Sequence, residues 1–153
     1  MPQPSCKAPS RISLAGFTLV ELIVTMAIVA ILTAIAVPIY GSYVIKSHVK
    51  GAGADLVALA LIMENQHQLT LNYASASSIT SSTTGFSAFG PAEGAMFTYN
   101  SSVSSATPQA YTLTAVGQSG KPVSGCTLQL TNTNQRTFTA GSGSKACGGL
   151  TSW

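Results

Sequence analysis

Hydrophobic and polar residues divide the chain into stretches of different period. From Leu22 to Ile39 no residue carries a charge, and the run is long enough to cross a bilayer core as a helix. One acid, Glu21, stands at its start, and a lone ionisable group beside such a segment points to function. Lys7 and Arg11 precede the run, which predicts a cytoplasmic N-terminus. Past Tyr40 the pattern turns helical: Val49, Ala52, Leu56, Leu59, Ala60 and Met63 form one stripe. Between Leu56 and Met63 the helix is apolar all the way round, so a face that a small sheet leaves bare should be covered by neighbouring subunits. The helix is expected to run from Phe17 to about Thr70, with Pro38 kinking or loosening it. Gly51 and Gly53 weaken it by about 1 kcal/mol each relative to alanine.

Period two replaces the helical spacing later in the chain. Residues 95–99, 111–116, 126–130 and 136–140 alternate apolar and polar side chains, which predicts four short strands. Leu128 and Leu130 fall on one face, Thr127 and Gln129 on the other, and Asn132–Gln135 supplies a turn. The segment Leu71–Gly94 is rich in Ser, Thr, Ala and Gly, shows no period, and reads as a long solvated loop. One helix followed by four strands gives an α+β fold, a long N-terminal helix packed on a four-stranded antiparallel sheet.

The string Gly16-Phe17-Thr18-Leu19-Val20-Glu21, followed by an apolar helix with Pro38 and Tyr40, resembles the N-terminus of bacterial type IV prepilins. The resemblance is specific over residues 11–40 and looser beyond. It implies a pilin-like fold and a leader, residues 1–16, cut at Gly16–Phe17 by a prepilin peptidase that then N-methylates Phe17. Gly16 suits that cut, since a residue without Cβ lets a protease approach the backbone. Residues 17–45 then form the transmembrane and assembly half of the helix, and 46–153 the exported globular domain. By the same resemblance, Glu21 neutralises the α-ammonium of Phe17 on a neighbouring subunit during assembly, because an unpaired charge in an apolar medium is costly. Pro38 ends a segment that, in this family, can lose helicity in the filament. The implied function is a structural pilus subunit, inserted in the inner membrane and polymerised with other pilins by the assembly machinery. Such filaments support surface adhesion, twitching motility or DNA uptake.

Composition fits a membrane-inserted, exported subunit, with 7% charged and 46% hydrophobic residues. The formal charge of +3 includes Lys7 and Arg11; without residues 1–16, five Lys/Arg face four Asp/Glu, leaving +1. Cys6 leaves with the leader, and the remaining pair, Cys126 and Cys147, is expected to form a disulfide in an oxidising compartment, as in pilins. No cofactor or metal site is expected, and catalysis finds no support: His48 and His67 lie far from either cysteine. Asp55 and Glu64, about half a turn of direction apart on a helix, read as solvated or interfacial charges.

Two alternatives accompany the structural reading. A type II secretion pseudopilin shares the N-terminal motif, but Glu93 is the only acid in the C-terminal half, leaving few ligands for a hard cation. A DNA-capturing minor pilin would use Lys121, Arg136 and Lys145, brought together by the disulfide. Weak or absent DNA binding is the expectation, because the processed charge is small and a single aromatic residue, Phe138, stands among these cations.

Overall fold

A computed structural model describes residues 16–106, 109–141 and 147–153. The chain forms α1 (Leu19–Thr70), β1 (Ala76–Ile79), β2 (Phe97–Val103), β3 (Tyr111–Gly117), β4 (Cys126–Thr131) and β5 (Arg136–Ala140). Two compact units divide between Val37 and Pro38. The described part of the first unit is apolar helix with every side chain exposed, the property of a segment that meets lipid or a partner. Its N-terminus is capped by Thr18, whose Oγ1 accepts from the Glu21 amide at 3.2 Å. Within the run, Thr25 and Thr33 return their hydroxyls to the Leu22 and Val29 carbonyls, so neither donor is left unpaired in an apolar setting. The helix continues through Pro38.

The second unit is α+β. Its five strands form an antiparallel meander in the order β1-β2-β3-β4-β5, one strand more than expected. The extra strand, Ala-Ser-Ser-Ile, lacks apolar alternation and sits at the sheet edge, with an irregular register between Ala76 and Ile79. It is held through Ser101, whose hydroxyl accepts from the Ala76 amide at 2.9 Å and donates to the Ala74 carbonyl at 3.0 Å. β2 begins two residues later than the alternation suggested and runs on through Asn100, Ser101 and Ser102. Its seven-residue register with β3, from Phe97↔Gly117 to Val103↔Tyr111, carries those polar residues into the sheet.

Val49, Ala52, Leu56, Leu59 and Met63 are fully buried in one core with Phe97, Tyr99, Leu113, Ala115, Leu128 and Leu130; Ala60 is half-buried. Cys126, Leu128 and Leu130 face this core while Thr127, Gln129 and Thr131 do not, the alternation read from sequence. On the far side of α1, Val57 is 44% and Leu61 73% exposed, so the segment that is apolar all round keeps one bare face. The connection after α1 is not a plain solvated loop. Successive turns, Thr83 to Thr80, Phe86 to Thr83 and Phe89 to Phe86, place Phe86 and Phe89 in the core. Gly51 and Gly53 mark close approaches, since a Cβ would lie 2.7 Å from the Glu93 carboxylate at the first and 2.7 Å from the Trp153 ring at the second. Their helix cost is offset by contacts that no larger residue admits.

Candidate nucleic-acid interface

Helical spacing sets Lys46, Lys50, Ala54 and Val57 on one stripe of α1. Placing two lysines four apart costs a few tenths of a kcal/mol in helix stability by like-charge repulsion. Against this stripe lies the C-terminal segment, tethered by the Cys126–Cys147 disulfide at the start of β4, with a Cα–Cα distance of 5.3 Å. Gly148 backs onto the Lys46 stem, and Trp153 packs against Gly53. The Trp153 Nε1–H donates to the Thr137 carbonyl on β5 at 3.1 Å, which fixes the ring beside the sheet edge. Arg136, first residue of β5, holds its guanidinium carbon 5.0 Å from the indole centre, a cation–π contact. A cavity of about 220 Å³ opens here, lined by Lys50, Ala54, Val57, Arg136, Ser152 and Trp153. One turn toward the N-terminus, Tyr43, Lys46, Ser47 and Lys50 line a smaller groove of about 150 Å³. The result is a face with three cations and two aromatic rings, assembled from the helix, the last strand and the tethered tail.

The acids point elsewhere. Asp55, expected at the surface, is only 8% exposed. Its carboxylate accepts from the Ala92 amide at 3.0 Å, the Glu93 amide at 2.9 Å and the Tyr99 hydroxyl at 2.6 Å. Glu93 pairs with His48 Nδ1 at 2.7 Å. Glu64 is half-buried and accepts from the Tyr111 hydroxyl at 2.9 Å and the Tyr73 hydroxyl at 3.2 Å. Burial, reinforced by these carboxylates, pushes the Tyr99, Tyr111 and Tyr73 hydroxyls above the ordinary phenol range. Helix acids that sequence spacing marked as solvated are anchors instead, tying α1 to the long connection and to β2 and β3.

Of the three cations singled out from sequence, Lys121 and Arg136 do not share a site. Arg136 pairs with Leu130 at one end of β4, whereas Lys121 lies in the connection that enters β4 at Cys126, the other end. Four residues of strand separate those ends by about 13 Å. Lys145 lies outside the described residues. Lys46 and Lys50 belong to the helix pattern in the sequence and Trp153 stands 17 residues beyond Arg136, so no linear signal joins the three elements. The two grounds for expecting weak DNA binding change accordingly. An aromatic ring does accompany Arg136, and the small net charge includes Asp55, Glu64 and Glu93, which are turned into internal networks. Of the N-terminal candidates, Gly16, Phe17 and Glu21 are exposed at the start of the apolar helix, with Phe17 85% exposed.

Comparison with known families gives two matches. A family described as "Type IV minor pilin ComP, DNA uptake sequence receptor" matches residues 38–151. The prokaryotic N-terminal methylation motif matches residues 14–37. No curated protein and no solved structure matches the chain.

Proposed function

Because the chain belongs to the type IV minor pilin ComP family, we propose that it is a minor pilin that captures DNA for uptake through Lys46, Lys50 and Arg136. A type IV pilin with an N-methylation motif and an apolar N-terminal helix resides in the inner membrane as a precursor and in the pilus once assembled. The observation that carries the DNA reading is the convergence of Lys50 from α1 and Arg136 from β5 on one cavity beside Trp153. Cations set on a rigid frame neutralise phosphates and release counterions without ordering long side chains from scratch. The family match is to a pilus subunit, which favours this role over that of a secretion pseudopilin.

Maturation follows the prepilin route: cleavage at Gly16–Phe17 by the prepilin peptidase, methylation of Phe17, and entry into a filament with other pilin subunits. Glu21 offsets the Phe17 ammonium of a neighbour in the apolar filament interior. Charge reversal separates capture from assembly. Lys50→Glu with Arg136→Glu should leave surface filaments in normal number and lower uptake of labelled DNA by the cell at least tenfold. Unchanged uptake by cells carrying the double variant would refute the proposal.

A further inference from the structure

The cavity between Lys50 and Arg136 has walls that phosphate binding does not require. Ala54 and Val57 on the helix and the Trp153 indole give it a mostly apolar lining, to which Lys50 and Arg136 add two cations. A duplex presents phosphates on its outside and keeps base faces stacked within; a single strand exposes flat apolar rings between successive phosphates. At about 220 Å³ the space falls below the roughly 300–1,000 Å³ of pockets for drug-sized ligands. It suits one flat ring system. We infer that this cavity takes one unstacked base of a DNA strand, with its flanking phosphates on Lys50 and Arg136; the inference rests on the DNA-capture reading above.

Three features fit that occupant. Trp153 has committed its only hydrogen-bond donor to the Thr137 carbonyl, so the ring is held in place and offers a surface rather than a directional contact. Arg136 lies over the indole and brings a planar guanidinium to the cavity, itself a group on which bases stack. Gly53 and Ala54 keep the helix wall low: a Cβ at Gly53 would collide with the Trp153 ring, and Ala54 is exposed with a single methyl. Stacking is indifferent to base identity, so the pocket adds affinity for unpaired DNA, such as a frayed end, whatever its sequence.

Trp153 is the only tryptophan in the chain, so its emission reports this site alone. The full chain in detergent would be titrated with a short mixed-sequence single strand, with an abasic strand of equal phosphate number, and with a blunt duplex. The intact strand should quench Trp153 and bind about 5- to 160-fold tighter than the abasic strand, the range for one stacked base. Neither the abasic strand nor the duplex should quench it. Ala54→Leu, which fills the cavity from an exposed helix position, should abolish the difference between intact and abasic strands. Equal binding of intact and abasic strands with unaltered emission would overturn the base pocket and leave DNA capture standing. So would persistence of the difference in Ala54→Leu, or equal quenching by the duplex. Failure of all three probes to bind would overturn both readings.

Discussion

Replacing Asp55 tests how the helix, the long connection and the sheet are held as one body. The side chain is buried and receives three donors: two successive amides, Ala92 and Glu93, and the Tyr99 hydroxyl. Hydrogen bonds to a charged group contribute about 1.5–3 kcal/mol each, but losing the carboxylate also removes its desolvation cost. Asp55→Ala should therefore destabilise the second unit by about 3–5 kcal/mol, the range for breaking a buried charged network. Tyr99→Phe removes one donor and should cost about 1.5–3 kcal/mol. Because both changes break one shared bond, the double variant should fall short of additivity by about 1–2 kcal/mol. Urea unfolding followed by Trp153 emission gives the energies, and amide hydrogen exchange at Ala92 and Glu93 gives the location. Both amides should exchange faster in Asp55→Ala, and by more than amides of β4. Additivity within about 0.5 kcal/mol, with unchanged protection at Ala92 and Glu93, would show that Asp55 is not the anchor.

Tyr99 and Tyr111 are held protonated in the fold by burial and by Asp55 and Glu64, while in the unfolded chain they titrate near 10. Stability should be fully present below about pH 10 and fall above it by about 1.4 kcal/mol per pH unit for each tyrosine; a pH series of urea melts that stays flat to higher pH would contradict this. Cys126→Ser opens a link spanning 21 residues and should cost about 3 kcal/mol, with Trp153 emission shifting as its tether is lost. An unshifted emission with unchanged stability would count against the clamp. Glu21→Ala should leave membrane insertion and an N-methyl-Phe17 terminus intact by mass spectrometry, yet abolish filaments; wild-type filament numbers would exclude the pairing role.

The buried stripe of α1 was legible because Val49, Ala52, Leu56, Leu59 and Met63 obey the helical period, and β3 and β4 because their alternation matches a half-buried sheet. Gly16 through Glu21 were legible as a linear motif, which needs no folding to be read. What escaped depends on tertiary partners. β1 is recruited by the Ser101 hydroxyl, and Phe86 and Phe89 are turned inward by consecutive turns, so neither carries a period. Asp55 looks like any helix acid until the connection brings two amides and Tyr99 to it. The cation site joins positions 50, 136 and 153, and only the register of β5 and the disulfide tether bring them together.

DNA capture by the helix–strand cation face is tested most directly by binding of the full chain, in detergent, to a labelled duplex across a salt series. Three phosphate contacts predict a slope of log K against log salt near −2.7. Arg136→Gln and Lys50→Gln should each make the slope shallower by about 0.9, whereas Lys121→Gln, at the far end of β4, should leave it unchanged. A slope near zero, or one that only Lys121→Gln alters, would contradict the account.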